Sequence, residues 1–446
     1  MKKSIEKAHV IVGLGLTGVS CARYLIEKGM SIAINDTRVQ PPNLDAFKNT
    51  YPDVHLSLGG FDETLLLQAE RIILSPGVSL HEPIIQKALS QGIPVIGDIE
   101  LFAENVKHPV IAITGTNAKS TVTTLVGKMA ERAGFRVGVG GNLGLPALDL
   151  LQDLNTNLYV LECSSFQLET TYSLKTQVAT ILNITPDHMD RYRTFHEYQQ
   201  AKHRIYQHCQ KAVINRDDAL TYCHEAKQQL FFTLDQPKIN EFGLLKKDHD
   251  VYLAYEDQAL ISTLLLPIKG KHYQANALAS LAIGYSAGFS FSVMLDVLRE
   301  FKGLPHRCQL VRERHGVTWY NDSKGTNVGA TQAAIAGLGS EIQGKLILIA
   351  GGLGKNADFT PLVPLIKTYS RHVVLIGEAA IELARVIDQT VSVSFANSME
   401  EAVQQADKVS LSKDSVLLSP ACASYDMFKH FEHRGQVFTD IVLKLE

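Results

Sequence analysis

Little in the sequence suits export, membrane insertion or nucleic-acid binding. Residues 1–18 lack the apolar block and small-residue cleavage site that a signal peptide needs. The uncharged stretch 273–295 contains Gln274, Asn276 and several serines, so it is too polar to span a bilayer and is predicted to form a helix, a turn near Gly288 and a second helix. The formal net charge is −3 and no long basic run occurs, which argues against a polyanionic partner.

Cysteine and tryptophan are also scarce, at six and one in 446 residues. The cysteines show no CxxC spacing, so neither a disulfide framework nor a zinc site is indicated, and a reducing cytoplasm is expected. Hydrophobic residues make up 45% and charged residues 20%, which is typical of a soluble globular protein. At about 150 residues per domain, the length suggests roughly three domains.

Short apolar strands alternate with helical periods in three successive runs, which is the pattern of parallel α/β sheets. The runs predict domains at 1–97, 98–302 and 303–446. Residues 216–268 are polar and strand-like, and we interpret them as an antiparallel addition to the second domain. The stretch 196–210 is predicted to be helical.

The first run contains a glycine-rich turn, Gly13-x-Gly15-x-x-Gly18, between an apolar strand and a helix, with Asp36 at the end of the next strand. This is the dinucleotide fingerprint, in which a helix N-terminus binds diphosphate and the carboxylate binds a ribose hydroxyl. A UDP-sugar would fit the same turn, and a tight turn without a ligand is the alternative. The turn at 75–77 could line the same crevice.

The second run contains residues 115–121, Gly-Thr-Asn-Ala-Lys-Ser-Thr, between an apolar strand and a helix. Free N–H groups at the helix N-terminus favour phosphate, Lys119 could reach the outer phosphates, and Ser120 or Thr121 could ligate Mg²⁺. The match to the general phosphate-loop pattern is imperfect, because Ala118 precedes the lysine. A nucleotide site is predicted, with an ordinary strand-to-helix turn as the alternative.

Two further strand ends of the second run have side chains that could bind a metal ion. Glu162 ends one apolar strand, and His188 lies in the loop after another. Strand ends on one edge of a parallel sheet converge, so both could hold Mg²⁺ beside the phosphates, although each could equally be an ordinary hydrogen-bonded residue. Taken alone, Lys202 is expected to be a solvated lysine.

The third run places polar loops after its strands, at 321–327, 351–355 and 419–428, and His306-Arg307 stands at its start. Arginine and lysine suit a phosphoryl group in transfer, and the later loops could hold a small carboxylate substrate. Capped helix starts are the alternative for such loops.

Together these motifs resemble the Mur ligase family, and within it the branch that adds D-glutamate. The resemblance runs through essentially the whole chain and rests on GLGLTGVS, DTR, LSPGV, GTNAKST, GGNLGLPAL, LECSSFQLE, NITPDHMDRY, PHR, YNDSKGTN, GGLGK and SPACASYDMF. It implies a Rossmann-like N-terminal domain that binds a UDP-sugar, a central P-loop-type ATPase domain with a mostly parallel sheet, and a C-terminal Rossmann-like α/β domain that binds an amino acid.

Carried over by position, the resemblance implies three sets of binding residues. The UDP-linked substrate would contact Gly15, Leu16, Thr17, Gly18, Asp36, Thr37, Arg38, Ser75, Pro76, Gly77 and Asn142. ATP would contact Gly115, Thr116, Asn117, Ala118, Lys119, Ser120 and Thr121, and also Asn276, Arg307, Asp322 and Lys324. D-Glutamate would contact Thr326, Lys355, Ser424, Tyr425 and Phe431.

The resemblance also implies two Mg²⁺ ions, held by Ser120, Glu162, His188 and Lys202, with Ser164 as a further candidate. Lys202 matches the family's carbamylated lysine, and a carbamate would turn a cation into an anionic metal ligand. The residues expected to serve catalysis are Lys119, Lys202, His188 and Arg307.

Two positions depart from the family pattern. Ala118 replaces a glycine of the phosphate loop, which would strain the loop by on the order of 1 kcal/mol if the position requires a positive φ. Tyr273 stands where the family's HNxxN helix carries its first asparagine, which puts one adenine-side contact in doubt, while Asn276 is retained.

The implied reaction is ATP-dependent addition of D-glutamate to UDP-N-acetylmuramoyl-L-alanine through an acyl phosphate, in peptidoglycan precursor synthesis. A monomeric bacterial cytoplasmic enzyme without nucleic-acid partners or membrane insertion is expected. The rival hypotheses are a sister ligase such as folylpolyglutamate synthase, an NAD-dependent dehydrogenase suggested by the glycine turn and Asp36, and a nucleotide-gated binding protein with a degenerate loop suggested by Ala118.

Overall fold

The computed structural model describes residues 8–223, 226–268, 270–355, 357–387 and 391–445. Three β-sheets follow one another along the chain, and helices pack against each of them. In the described ranges, we find no helix that combines the length and apolar character needed to cross a membrane.

The first sheet has five parallel strands in the order β3-β2-β1-β4-β5. Its strands are β1 (His9–Val12), β2 (Ile32–Asp36), β3 (His55–Leu58), β4 (Arg71–Leu74) and β5 (Val95–Ile96). The helices are α1 (Leu16–Glu27), α2 (Leu44–Thr50), α3 (Glu63–Leu67), α4 (Pro83–Ser90) and α5 (Asp98–Ala103), which leads to the second sheet. The strand order reverses between β1 and β4, where α/β sheets bind ligands beyond their carboxyl ends.

The central sheet has nine strands in the order β14-β13-β12-β11-β10-β9-β6-β8-β7. They are β6 (Val110–Thr114), β7 (Val137–Gly141), β8 (Leu158–Glu162), β9 (Thr176–Ile181), β10 (Cys209–Asn215), β11 (Gln228–Phe232), β12 (Glu241–Lys247), β13 (Asp250–Tyr255) and β14 (Gln258–Ser262). The helices are α6 (Lys119–Arg132), α7 (Ser165–Glu169), α8 (Phe195–His203), α9 (Lys271–Ala287) and α10 (Phe291–Glu300). Short 3₁₀ turns occupy Ala147–Gln152, Arg204–Tyr206, Ala219–Thr221 and Thr263–Leu265.

The predicted antiparallel addition at 216–268 is only partly correct. β11 pairs parallel with β10, and β12 pairs parallel with β11, so these strands continue the central sheet. Only the pairings of β12 with β13 and of β13 with β14 are antiparallel. The sequence pattern does not distinguish the two directions because these strands have polar faces in either arrangement.

The predicted helix at 196–210 is wrong beyond His203. α8 ends at His203, a 3₁₀ turn follows, and β10 begins at Cys209. Cys209 pairs with Thr176 of β9, so sheet pairing takes over the end of this polar stretch. The helix, turn and second helix predicted at 273–295 are confirmed as α9 and α10, with Gly288 at φ +93° between them.

The third sheet has six strands in the order β15-β16-β20-β17-β18-β19, and only β15 is antiparallel. They are β15 (Gln309–Arg314), β16 (Val317–Asn321), β17 (Leu346–Gly351), β18 (Ser370–Ile376), β19 (Ser392–Phe395) and β20 (Ser415–Leu418). The helices are α11 (Val328–Gly339), α12 (Val363–Tyr369) after a 3₁₀ turn at Thr360–Leu362, α13 (Ala380–Ile387), α14 (Met399–Val409) and α15 (Phe431–Lys444).

The predicted fold class, mixed α/β with mostly parallel sheets, is confirmed. The central strands of each sheet are buried and predominantly apolar because helices cover both faces.

Candidate active site

The first cavity lies beyond the carboxyl ends of β1, β2 and β4 and has a volume of about 570 Å³. The predicted UDP-site residues line it, apart from Gly18, which lies behind the turn. A β-carbon on Gly18 would come within 1.9 Å of the Gly13 carbonyl oxygen, so the close packing of the turn requires glycine there. The central unit contributes Asn142, as predicted, and also Gln167, which was not among the predicted residues although it lies within the LECSSFQLE motif.

Hydrogen bonds from neighbouring groups hold the Asp36 side chain in this cavity as an ionised hydrogen-bond acceptor. Its carboxylate accepts the Leu14 backbone N–H (2.7 Å) and two guanidinium N–H groups of Arg38 (2.9 and 2.7 Å). Burial raises the pKa of Asp36, but the hydrogen bonds from Arg38 and Leu14 outweigh it and lower the pKa to about 2. The carboxylate is therefore ionised at any physiological pH.

The predicted phosphate loop lies between β6 and the N-terminus of α6. Ala118 is the N-cap residue of the helix with φ +67° and ψ −7°, so the positive φ that would strain an alanine is present. The Lys119 ammonium folds back to donate to the carbonyls of Gly115 (2.9 Å) and Thr116 (2.8 Å). It lies at the mouth of the loop, where it can exchange these carbonyls for phosphate oxygens.

The second cavity, of about 360 Å³, brings together all of the predicted catalytic, metal and amino-acid residues. The central unit contributes the phosphate loop, Glu162, Ser164, His188 and Lys202. The third unit contributes Arg307, Lys324, Thr326, Lys355, Ser424, Tyr425 and Phe431. Residues from distant parts of the sequence therefore converge on one space.

Direct contacts join the two units across this cavity. The Arg307 guanidinium donates to Ser120 Oγ (2.8 Å), and the Asn327 amide donates to Asn117 Oδ1 (3.2 Å) and Asp187 Oδ2 (3.0 Å). Asn327 and Asp187 were not among the predicted site residues. Both lie inside quoted motifs, but nothing in the sequence indicates that they face each other.

Glu162 is buried, and only one of its two carboxylate oxygens has a partner among the described residues. Asn142 donates to Oε1 (2.7 Å), whereas Oε2 has none. An unsatisfied buried carboxylate oxygen indicates that a cation or donor belongs beside it. Ser164 is less available, because its hydroxyl caps α7 by accepting the Gln167 N–H (3.1 Å).

Lys202 is not the solvated lysine that its sequence context alone suggests. The side chain is buried, donates to the Gly115 carbonyl (2.8 Å) and lies over the Tyr198 ring. Burial, reinforced by the nearby Lys119 charge, lowers the pKa of Lys202 well below its ordinary value. Burial and the neighbouring Arg307 likewise lower the pKa of Lys324 to about 8. This environment shifts the amine of Lys202 toward its neutral, nucleophilic form.

The donor set fits Mg²⁺ only if a ligand completes it. Among the described residues, no three His, Cys, Asp or Glu side chains are grouped as a preformed cation site. Glu162, Ser120 and His188 nevertheless face one cavity together with several cations. Mg²⁺ characteristically takes one or two protein ligands and completes its shell with water and substrate phosphates, which matches this sparse set.

A third cavity, of about 340 Å³, adjoins the phosphate loop on its other side. Asn276, Asp322 and Tyr273 line it, so the departure at Tyr273 lies in the site. Tyr273 is buried and stacks on Phe301, and its hydroxyl has no partner among the described residues. Burial raises the pKa of Asp322 to about 6 against the hydrogen bond from Ser419.

The loops that carry Ser424 and Lys324 are held from behind by Arg434. This guanidinium is fully buried and donates to the Ser323 hydroxyl (3.0 Å) and to the carbonyls of Ser323 (2.9 Å) and Cys422 (3.2 Å). Arg434 was not predicted. Its position four residues after His430 in the first turns of α15 gives no sequence signal for this role.

Comparison with known proteins places these features in a family. Models of the Mur ligase MurD-like N-terminal domain, the Mur ligase middle domain and the Mur ligase glutamate ligase domain match residues 7–97, 113–284 and 306–422. The chain is 51% identical to UDP-N-acetylmuramoylalanine--D-glutamate ligase of Pseudomonas putida, covering 97% of this chain and 96% of the relative. It is 50% identical to the Nitrosococcus oceani protein of the same name, covering 100% and 98%.

Solved structures show the same fold at much lower identity. The MurC ligase of Thermotoga maritima aligns with a TM-score of 0.62 at 16% identity, covering 98% of this chain and 99% of that one. The MurF ligase of the same organism, in complex with ADP, aligns with a TM-score of 0.62 at 16% identity, covering 100% and 97%.

Proposed function

Since the chain belongs to the Mur ligase family, we infer that it joins D-glutamate to UDP-N-acetylmuramoyl-L-alanine in peptidoglycan precursor synthesis. It is an ATP-dependent amide ligase that releases ADP and phosphate. The observation that carries this inference is the connection between the three cavities. Asn142 lines both the first cavity, called the UDP-substrate cleft below, and the second cavity, called the central cavity below. Ala118, Arg307 and Lys324 line both the central cavity and the third cavity, which is the proposed nucleotide cavity.

We propose a reaction in two steps. The γ-phosphoryl group of ATP passes to the carboxylate of the L-alanyl group, and the amine of D-glutamate then attacks the acyl phosphate and displaces phosphate. Neither step needs a covalent protein nucleophile. The chain neutralises and aligns the reactants through Lys119, Arg307 and Lys324, whose charges meet in one enclosed space. Enclosure between the two units also limits hydrolysis of the acyl phosphate.

The residue assignments follow this division. We propose that the predicted residues of the first cavity bind the UDP-substrate and that residues 115–121 bind the phosphates of ATP. Asn276 and Asp322 would face the nucleoside, with Tyr273 in place of the family asparagine. Thr326, Lys355, Ser424, Tyr425 and Phe431 would bind D-glutamate, which is supported by their place opposite the phosphate loop.

Mur ligases use Mg²⁺, which supplies charge neutralisation for the phosphates. We propose that Ser120, Glu162, His188 and a carbamylated Lys202 hold two such ions. The neutral amine of Lys202 would add to CO₂ with loss of one proton to give the carbamate. The carbamate would offset part of the positive charge that Lys119, Arg307 and Lys324 contribute.

Substitution of Lys202 tests the carbamate. Lys202→Ala should lose most activity and regain part of it with short carboxylic acids, which can occupy the vacated space. Lys128→Ala is the matched control, because Lys128 is an exposed lysine of α6. Indifference of Lys202→Ala to added acids, or full activity without them, would count against the carbamate.

The ligase reaction itself is tested with the purified chain, ATP, UDP-N-acetylmuramoyl-L-alanine and either D- or L-glutamate. We expect ADP release only with the D-isomer, coupled one-to-one to formation of the new amide. ADP release with L-glutamate and a folate acceptor would indicate the sister ligase. Binding of a nicotinamide cofactor without ADP release would indicate a dehydrogenase, and tight ATP binding without turnover of any substrate would indicate a binding protein.

We further propose domain boundaries near 97 and 303, since these positions separate the three sheets. We propose that the chain acts as a monomer, because one copy supplies the lining of all three cavities. We also propose that it works in the bacterial cytoplasm, since the ligases it matches are bacterial.

A further inference from the structure

Arg191 connects the turn that carries His188 to a different unit of the fold. The N–H groups of Arg191 and Tyr192 both donate to the His188 carbonyl (2.9 and 3.1 Å), so the backbone turns tightly here. The Arg191 side chain is only 15% exposed and leaves the central unit. Its guanidinium donates to the carbonyls of Pro76 (2.8 Å) and Val78 (2.9 Å) in the loop after β4.

The receiving loop forms a wall of the UDP-substrate cleft. Pro76 and Val78 both line that cavity. The loop is tied to the glycine turn, because the Ser75 hydroxyl donates to the Gly13 carbonyl (3.0 Å) and the Val78 N–H closes the loop on Ser75 (2.9 Å). The two carbonyls that Arg191 holds are therefore fixed relative to the turn that is proposed to face the diphosphate.

The other side of the guanidinium contacts the surroundings of His188. The Arg191 guanidinium lies 4.3 Å from the centre of the Phe166 ring, and Phe166 meets the His188 imidazole edge to face at 4.8 Å. Glu169 lies 3.5 Å from the guanidinium and balances its charge. One planar cation thus contacts the wall of one site and the packing partner of a proposed metal ligand in the other.

We propose that Arg191 is a positioning residue that couples occupancy of the UDP-substrate cleft to the geometry of His188 in the central cavity. The inference rests on the proposed function and deepens it, because it explains how binding of one substrate can change the affinity for the other. Arg191 lines neither cavity. It acts through residues 75–78 on one side and through Phe166 and the 188–191 turn on the other.

A purely structural bridge between the two units would have a different signature. Loss of such a bridge lowers the stability of the protein and weakens the binding of each ligand independently of the other. Loss of a coupling residue removes the dependence of one affinity on the other ligand, and linkage requires the effect to be equal in both directions. Coupling, rather than stability or activity alone, is therefore the quantity to measure.

The experiment titrates the full-length protein with UDP-N-acetylmuramoyl-L-alanine by calorimetry, with and without saturating Mg²⁺ and AMP-PNP. In wild type we expect the two Kd values to differ by about tenfold, within the usual range of coupling between sites. In Arg191→Met the ratio should fall to within about twofold of unity. Arg191→Lys keeps the charge but not the fork of donors, and it should be intermediate.

Arg193→Met is the matched control, because Arg193 is an exposed arginine two positions along the same segment. It should keep the wild-type ratio. The reverse titration, with AMP-PNP and Mg²⁺ in the presence and absence of UDP-substrate, should give the same factor for each variant. The melting temperature of each variant separates loss of coupling from loss of fold, and Arg191→Lys serves as the test if Arg191→Met does not fold.

A wild-type ratio of unity, or a ratio that survives in Arg191→Met and Arg191→Lys, would overturn the inference while leaving the proposed function intact. Wild-type protein that binds no UDP-substrate and forms no amide would overturn the proposed function and the inference together. Equal loss of coupling in Arg193→Met would also reject the specific role of Arg191.

Discussion

Replacing Ala118 with glycine should stabilise the phosphate loop. Ala118 has φ +67° at the N-cap of α6, a left-handed conformation that is unfavourable for a residue with a β-carbon by about 1–2 kcal/mol. Glycine removes this strain but increases the entropy of the unfolded chain, which costs about 0.4–1 kcal/mol. The expected net effect of Ala118→Gly is a stabilisation of about 0.5–1 kcal/mol.

Ala133→Gly at the other end of the same helix is the matched control. Ala133 has φ −77°, and like Ala118 it is partly buried against the core that α6 helps to form. Glycine relieves no strain there, so only the unfolded-state penalty remains and the variant should lose about 0.4–1 kcal/mol. The difference between the two variants isolates the cost of the left-handed conformation, about 1–2 kcal/mol.

The assay is thermal unfolding of the full chain by calorimetry and far-ultraviolet circular dichroism. Tryptophan fluorescence is unsuitable, because the single tryptophan, Trp319, lies in β16 of the third sheet. For a unit of about 200 residues, the difference between the variants should separate their melting temperatures by roughly 2–8 °C. If Ala118→Gly lowers the melting temperature as much as Ala133→Gly does, position 118 carries no such strain and the reasoning is refuted.

Three other substitutions are informative. Lys119→Ala should abolish ADP release, because the only flexible cation of the phosphate loop is lost; turnover at the wild-type rate would reject the ATP site. Tyr273→Phe removes a buried hydroxyl without a partner among the described residues, so it should raise the melting temperature of the free protein. If this hydroxyl contacts the nucleotide, the same variant should raise the KM for ATP about 3- to 10-fold. An unchanged KM would show that the hydroxyl makes no such contact. Burial raises the pKa of Asp98 to about 6 despite the hydrogen bond from Gln167, so its contribution to stability is present below the unfolded pKa and is lost as the pH rises through 6. Asp98→Asn should therefore gain up to about 3 kcal/mol relative to wild type between pH 4 and pH 7.5, measured by denaturant unfolding at both values; a pH-independent difference would contradict this.

Local motifs were predictable because each is completed within one strand, turn and helix. The glycine turn before α1 and the phosphate loop before α6 lie at the predicted positions, since a strand-to-helix turn needs no distant partner. The helix pair α9 and α10 was predictable from its uncharged helical stretch and the turn at Gly288, and the buried apolar strands of the third sheet were predictable as short apolar runs. The two edge strands of that sheet, β15 and β19, were not predicted. The end of α8 and the direction of β11 were not, because strand pairing with distant segments decided them.

Burial and convergence were equally outside the reach of local patterns. Lys202 reads as a solvated lysine in its own segment, yet packing buries it beside Gly115. Arg191 and Asn327 depend on acceptors in other units, the Pro76 carbonyl and the Asp187 carboxylate. Arg434 depends on carbonyls of its own unit that are distant in sequence, such as that of Ser323.

What the sequence by itself determined is a set of local motifs: an α/β chain with a glycine turn followed by Asp36, a turn of the phosphate-loop type, and cationic loops after the strands of the third run. These features depend on neighbours within a few residues, so the local sequence is sufficient to predict them. Only the tertiary structure decided that the sites share walls, that Arg307 contacts Ser120 across two units, and that Arg191 joins the UDP-substrate cleft to His188. The physical reason is that such contacts form where loops and helix starts of different units meet, which no local pattern specifies.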